Sequence, residues 1–436
     1  MQVDKRRFVS TFFCRLCFDD FIAESAPKCM QHLSSLSRNA AAASIVALYF
    51  CIPWTLAGAN ITLLCMAVAW VLEGRWRKRW QIAADNAVTH ALVALYGLLL
   101  LGAFYTTAPW ADVVDHLMKY HKLLLMVVAL SLLSDPVVRG RCWTAFTITM
   151  LITLLSSYLN IWFTLPWSKS QNLGWGADHS VFKDYITQGA LMTLLMLRAL
   201  YLALSNVPSR NQWFWAAIAL LAFVCNTQLS WGRTGYLSTG VAVLVFFLAL
   251  TPARRWLHVL LLLGVALFLV VWLSPTIIQR VALAVHEIGQ QPDSATSIGQ
   301  RLFTWQRSLD LFWVHPFLGW GTGAYHGEYC RLVASKDWCA AGSFHPHNQF
   351  LFFMVEYGLI GLVCFMVLLG AAAWQAWHLA PHDRAVAMAF LGVVCVGNMT
   401  HSGFWLSNEG LAYGFGLVLV LSAARRGPPT TEEAGA

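Results

Sequence analysis

Two arginines that could bind an anion stand at the edges of apolar segments. Arg233 lies in the short run Ser230-Trp231-Gly232-Arg233-Thr234-Gly235, and Arg301 lies in Gly299-Gln300-Arg301-Leu302 at the start of an amphipathic stretch. A charged side chain near hydrocarbon is costly unless it has a partner. Two interpretations therefore stay open at this point. The guanidinium groups either reach lipid phosphates or a distant carboxylate, or they bind an anionic ligand through bidentate contacts to phosphate oxygens.

His347 is the candidate proton acceptor. It follows Pro346 where a polar segment enters a long apolar one, so we expect it in the first turn of a helix. The positive end of the helix dipole would disfavour imidazolium there and keep the ring neutral near pH 7. The alternative is an interfacial histidine that only hydrogen-bonds lipid or water, and for His345, His326 and His315 this alternative is preferred.

Three neighbours of His347 are candidate supporting residues. Asn348 is expected to satisfy the free N–H groups of the helix start rather than to do chemistry. Glu356 falls inside the apolar segment and is expected to be a buried structural or arginine-pairing carboxylate. His345 is included because it lies two residues before His347.

The composition indicates the class of protein that must position these residues. Of 436 residues, 58% are hydrophobic and 11% charged, and apolar segments recur along the whole length. We therefore predict an all-α polytopic membrane protein. The net charge of +8 is interpreted as a signal of membrane orientation and of contact with anionic lipid, not of nucleic-acid binding.

The apolar segments predict about twelve transmembrane helices with one long loop between the ninth and the tenth. The predicted organisation is a basic N-terminal segment (1–39), nine helices (40–273), a loop with short helices (274–346), three helices (347–422) and a tail (423–436). The twelve predicted spans are Ala40–Ala57, Ala59–Leu72, Ala84–Phe104, Tyr120–Leu133, Cys142–Leu165, Phe182–Leu204, Gln212–Leu229, Thr234–Leu250, Trp256–Leu273, His347–Ala373, Arg384–Thr400 and Trp405–Ser422.

The distribution of basic residues predicts the orientation. Arginine and lysine collect in alternate connections, above all in Arg75-Trp76-Arg77-Lys78-Arg79, and in the N-terminal segment. By the positive-inside rule both termini lie in the cytoplasm, and the long loop faces the periplasm, or the outside in a cell without one.

Cysteine spacing gives one open question and one exclusion. Cys330 and Cys339 both fall in the predicted outer loop, where an oxidising compartment permits a disulfide, and a disulfide and two free thiols are weighed equally. Cys14 and Cys17 have Cys-x-x-Cys spacing, but no second pair completes a zinc site.

The motifs taken together resemble the O-antigen ligase family, which includes related O-antigen polymerases and protein O-oligosaccharyltransferases. The resemblance rests on Ser-x-Gly-Arg233-Thr at an outer turn, Arg301 early in a long outer loop, Gly319-Trp-Gly-x-Gly323, Pro346-His347-Asn348-x-Phe-Leu351 and Glu356-x-Gly-Leu-x-Gly361. It covers the second half of the chain by motif and the first half only by hydropathy.

The resemblance implies a GT-C-like glycosyltransferase of the bacterial inner membrane with its active site facing the periplasm. Such ligases move a polysaccharide en bloc from undecaprenyl pyrophosphate to a sugar hydroxyl of lipid A–core, in lipopolysaccharide biosynthesis. On matching positions, Arg233 and Arg301 would bind the pyrophosphate and His347 would act as general base. The implied partners are the lipid-linked glycan donor, the lipid A–core acceptor and membrane lipids.

No cofactor or metal is expected for this reaction. The sequence has no Asp-x-Asp pair to hold a divalent ion against a pyrophosphate, and the family pattern is similar to that of metal-independent, inverting transferases.

Two rival functions remain. A polymerase or a protein O-oligosaccharyltransferase would use the same site with another acceptor. A transporter of lipid-linked glycans is the more distant rival, because transporters usually place polar features near the bilayer midplane in two related halves, and no internal repeat is visible here.

Overall fold

The computed structural model describes residues 19–205, 211–273 and 296–423, with a few further helical residues between 278 and 286. Within these ranges every regular element is a helix. The α-helices are α1 Asp19–Cys51, α2 Leu56–Glu73, α3 Trp76–Ala84, α4 Ala87–Gly102, α5 Trp110–Tyr120, α6 Lys122–Leu133, α7 Pro136–Leu159, α8 Tyr185–Leu204, α9 Gln212–Gln228, α10 Arg233–Leu250, α11 Trp256–Leu273, α12 Ser297–Val314, α13 Tyr325–Val333, α14 Lys336–Gly342, α15 Gln349–Trp377, α16 Pro381–Thr400 and α17 Ser407–Leu421.

The all-helical prediction is confirmed over the described residues, but the count of twelve spans is not. Seven described helical spans are long and apolar enough to cross a membrane, one of them formed by α5 and α6 together (Trp110–Leu133). The number is eight if α3 and α4, bent by 105° at their junction, form one span. The predicted segments do fold as helices, yet α4, α9 and α17 contain only 16, 17 and 15 residues. A full crossing needs about 20 residues, so helix formation by itself does not establish a crossing. The chain is a multi-pass membrane protein.

Several predictions concern residues outside the described ranges. They involve residues 1–18, which include Cys14 and Cys17, most of 274–295, and the tail after residue 423. α1 begins at Asp19, so the second half of the predicted 1–39 segment is helical.

The loop before α15 folds into three helices, of which the first two pack on α15 and the third packs on these two. The predicted helix over Ile298–Val314 is confirmed as α12, and α13 and α14 follow. Leu311, Tyr325 and Tyr329 of this layer bury their side chains together with Phe352 and Val355 of α15. Cys330 and Cys339 are joined by a disulfide, with their Cα atoms 4.8 Å apart, which closes the question left by the sequence.

The two glycine motifs contact each other. The N–H groups of Trp320 and Gly321 donate to the carbonyls of Val355 and Glu356 at 3.0 and 2.8 Å. Gly358 lies inside α15 with φ +62° and ψ −153°, a conformation that is essentially restricted to glycine, and it bends the helix. A Cβ on Gly319 would lie 2.4 Å from the Glu356 carbonyl carbon, and one on Gly358 would lie 2.3 Å from that of Phe317. The motifs therefore fix the path of the loop against α15.

We predict that Gly358→Ala destabilises the protein by about 2 kcal/mol or more, because alanine adopts this backbone conformation only with strain and its Cβ meets backbone atoms. Thermal unfolding of the purified protein measures the effect. Gly370→Ala on the same helix is the matched control, since a Cβ there has nothing within 4 Å. Equal stability of the two variants would contradict the contact described.

The disulfide predicts the outcome of thiol labelling under denaturing conditions. Without reductant Cys330 and Cys339 resist alkylation, and after reduction both react, which mass spectrometry of the peptide carrying them detects. Cys65, an exposed free cysteine, serves as the internal control and labels in both cases. Labelling of Cys330 and Cys339 before reduction would exclude the disulfide.

Candidate functional site

His347 lies just outside α15, not in its first turn. The helix begins at Gln349, and His347 has a positive φ of 52°. Asn348 is the N-cap, and its Oδ1 accepts the N–H groups of Phe350 and Leu351 at 2.9 and 3.2 Å. The prediction for Asn348 is confirmed, and the expected helical position of His347 is wrong by two residues. His347 thus precedes the helix, and its ring lies beside those of His345 and His401.

Three histidines surround this point. The ring centroids of His345 and His347 are 4.3 Å apart, and those of His347 and His401 are 5.1 Å apart. One nitrogen from each ring lies within 4.8 Å of those of the other two. Nδ1 of His345 accepts the N–H of His347 at 3.1 Å, which fixes that ring. We call His345, His347 and His401 the histidine cluster.

The rings of the histidine cluster are held neutral. Burial lowers the pKa of His347 to about 4, with a further contribution from the positive charge of Arg301. Burial and the neighbouring His347 and Arg301 lower the pKa of His401 to about 3. The pKa of His345 is also well below its usual range, mainly through burial. A neutral His347 agrees with the expectation from the sequence, but the main cause is burial rather than the helix dipole.

Arg301 and the histidine cluster lie in one region. Arg301 stands in the second turn of α12, and its charge disfavours protonation of all three rings. Such an influence requires proximity, because charge interactions weaken with distance. The structure thus brings together Arg301, His345 and His347, which the sequence proposed separately.

Arg233 is the first residue of α10. The preceding turn is fixed by the Tyr236 hydroxyl, which donates to the carbonyl of Ser230 at 2.6 Å. Thr234 donates to the hydroxyl of Thr400 at 3.1 Å. Arg233 and His401 are therefore each one residue from this bond, and α10 and α16 place them at the same end of the bundle.

Glu356 has a structural position. Its Oε2 lies 2.8 Å from Nε2 of His116 on α5, and its Oε1 accepts the N–H of Gly323 at 3.1 Å. The expected buried structural carboxylate is confirmed, and these described partners are a histidine and a backbone amide rather than an arginine. Gln349 makes a second link, since it donates to the Tyr120 hydroxyl at 2.7 Å and accepts the N–H of Trp405 at 3.2 Å.

Sequence reasoning missed His401 and His116. His401 follows α16 in the polar run Thr400-His401-Ser402, and His116 lies on α5 four residues before Tyr120. Neither residue has a spacing that ties it to His347 or Glu356. A single polar residue beside an apolar span was the available signal, and it is too common to identify a site.

A cavity of about 220 Å³ is linked to the histidine cluster through Trp405. Trp405 lines it and packs against His345 with ring centroids 5.4 Å apart. Its wall carries carboxylates, histidines and aromatic rings: Asp112, Asp115, His116, Lys119, Gly323, Tyr325, His326, Ser343, Phe344, Phe352, Glu356 and Trp405. We call it the acidic cavity. Its size and mixed lining suit a ligand with several hydroxyl groups better than an apolar one.

Comparison with known families adds one match. Residues 215–366 match a family model described as O-antigen ligase. The matched range contains Arg233, Arg301 and His347. No curated protein sequence matches the chain significantly.

The lowered pKa values of the histidine cluster predict how stability depends on pH. In the unfolded chain these rings titrate near pH 6.5, above their values of about 4 and about 3 in the folded protein. The unfolded state therefore binds more protons as pH falls below about 6.5, and the free energy of unfolding decreases from there towards about pH 4.

Thermal unfolding between pH 7.5 and pH 5 tests this dependence. His401→Gln should flatten it by removing one buried imidazole. His378→Gln, a change at an exposed position near the other end of α15, should leave the slope unchanged. A slope in His401→Gln equal to that of the unmodified protein would contradict the assignment.

Proposed function

Because the match over residues 215–366 supports assignment of this chain to the O-antigen ligase family, we propose that the protein is an O-antigen ligase. In this proposal it transfers a polysaccharide en bloc from undecaprenyl pyrophosphate to a sugar hydroxyl of lipid A–core. The observation that carries the proposal is the proximity of the buried, neutral His347 ring to the positive charge of Arg301. A base and an anion-binding group are the two functions that this transfer requires.

Arg233 and Arg301 would bind the donor's pyrophosphate. A cation in the first turn of α10 is opposed by the helix dipole, and a bound anion would relieve that repulsion. The rings near Arg301 are uncharged, so the guanidinium groups would supply the positive charge that binds the anion. The two guanidinium groups would stabilise the charge that develops on the pyrophosphate as it leaves.

His347 would act as general base on the acceptor. The acceptor oxygen attacks the anomeric carbon, the bond from that carbon to the pyrophosphate oxygen breaks, and the hydroxyl proton passes to His347. Direct displacement inverts the anomeric configuration. A pKa of about 4 makes His347 a weak base in the free protein. Pyrophosphate bound at Arg301 would offset that positive charge and raise the pKa of His347 when a proton acceptor is needed.

The acidic cavity would accommodate the acceptor sugar. Its carboxylates can accept hydrogen bonds from sugar hydroxyls, and its aromatic rings can pack against the ring of a sugar. Trp405 on the cavity wall packs against His345, and His345 packs against His347. The accepting hydroxyl would have to reach past Trp405 and His345 to contact the base.

The disulfide supports placing the site on the outer face of the inner membrane. Disulfides persist in oxidising compartments such as the periplasm. Cys330 and Cys339 lie in the helical layer that also contains Arg301. The distribution of basic residues favours the same orientation.

We predict that His347→Ala lowers transfer by about 10²–10⁴-fold and that Arg233→Ala and Arg301→Ala each lower it by about 10²–10³-fold. Arg301→Lys should recover only part of the loss, because lysine keeps the charge but not the bidentate geometry. The measurement is conjugate formation by the reconstituted protein from lipid-linked glycan and lipid A–core, with a chelator present.

Arg331→Ala is the matched control for the arginine variants. Its side chain is 70% exposed and pairs with Glu328, so transfer should stay unchanged. Full activity of folded His347→Ala would remove the proposed base, and retained anomeric configuration would exclude direct displacement. Lengthening of the glycan, or its transfer to a protein, would identify a polymerase or a protein O-oligosaccharyltransferase instead.

A further inference from the structure

We propose that the histidine cluster is a binding site for a divalent transition-metal ion of the zinc class, and that an ion bound there inhibits glycan transfer. The inhibition rests on the proposed function. The ion site itself rests only on the arrangement of His345, His347 and His401.

The spacing of the three rings suits a shared ion. One nitrogen from each ring lies within 4.8 Å of the others. Nitrogens bound to tetrahedral zinc are about 3.4 Å apart, given Zn–N distances of about 2.0–2.1 Å. Rotation of the His347 and His401 rings would reduce this difference, because the terminal torsion of histidine is broad. Three imidazoles leave a fourth position open, as in sites with three protein ligands.

Two of the three rings carry a nitrogen that is not committed to another donor, and His345 would bind through Nε2 because its Nδ1 accepts the His347 N–H. Nδ1 of His347 and Nδ1 of His401 are both buried and have no hydrogen-bond partner. A buried polar atom without a partner is costly, and a bound ion would satisfy it. The hydrogen bond from the His347 N–H to His345 orients one ring in advance, as outer contacts do in metal sites.

The surrounding charges limit the affinity. Oε1 of Glu409 lies 3.8 Å from Nδ1 of His401 and favours a cation. Arg301 and Lys119 oppose it, since both act on the histidine cluster as positive charges. Three nitrogen ligands favour zinc, nickel, cobalt and copper over magnesium and calcium, which prefer oxygen. The expected site is selective for this class but weaker than a four-ligand structural site.

Occupation of the site would remove the proposed base. An imidazole lone pair bound to a metal cannot accept the proton of the acceptor hydroxyl. Zinc-class ions should therefore inhibit transfer, whereas a chelator alone should leave it intact. This response is opposite to that of a transferase that requires a divalent ion.

Direct binding of the metal alone tests the site. Full-length protein without a histidine tag is stripped with chelator, then titrated with Zn²⁺ by calorimetry and with Co²⁺ by visible absorption. We expect one saturable ion per chain and a loss of affinity of at least about tenfold in His401→Gln, which preserves much of the side-chain volume. His378→Ala, at the opposite end of α15, should bind like the unmodified protein. Absence of saturable binding, or equal affinity in His401→Gln, would overturn the site.

The transfer assay tests the consequence separately. Zn²⁺ at the concentration that saturates the site should abolish most transfer, and excess chelator should restore it. Unchanged or increased transfer with the ion bound would overturn the inhibition. If the protein forms no conjugate under any condition, the proposed function fails, while the calorimetric and spectroscopic titrations still decide the ion site.

Discussion

The contact between the loop at Gly319 and the bend of α15 at Gly358 is the constraint on which the site depends. Two backbones meet there with no room for a Cβ on either glycine. The contact fixes the first half of α15 against the loop and its three helices. Glu356 is held at the same place, between His116 and the N–H of Gly323. Because Asn348 and His347 lead directly into this half of α15, their position follows from a backbone contact several residues away.

The electrostatics of the site follow from burial. The three imidazoles are neutral because their surroundings disfavour a charge, and Arg301 adds to that effect. Glu356 pairs with His116, so this carboxylate has described partners away from the histidine cluster. The region thus combines arginine charge with uncharged rings. That combination suits an anion beside a proton acceptor, and the same uncharged rings are also ligands for a soft or borderline metal ion.

The sequence predicted what local patterns determine. Apolar segments indicated the helices, and Asn348 was identified as a cap because capping is a contact within one turn. The number of crossings could not be predicted, because α4, α9 and α17 are apolar but short. The glycine motifs were visible in the sequence, but their mutual contact was not. The spacing of residues does not show which backbone segment packs against a glycine. His401 and His116 could not be predicted for the same reason, because α16 and α5 place them at the site from distant parts of the chain.

The central claim is that Arg233, Arg301 and His347 act on one lipid-linked substrate. The most direct test is a cryo-electron microscopy structure of the protein in a lipid nanodisc with undecaprenyl pyrophosphate bound. The account predicts pyrophosphate oxygens about 3 Å from the guanidinium groups of both arginines, with the ring of His347 facing the position of the transferred sugar. Pyrophosphate bound away from both arginines, or His347 turned away from it, would contradict the account.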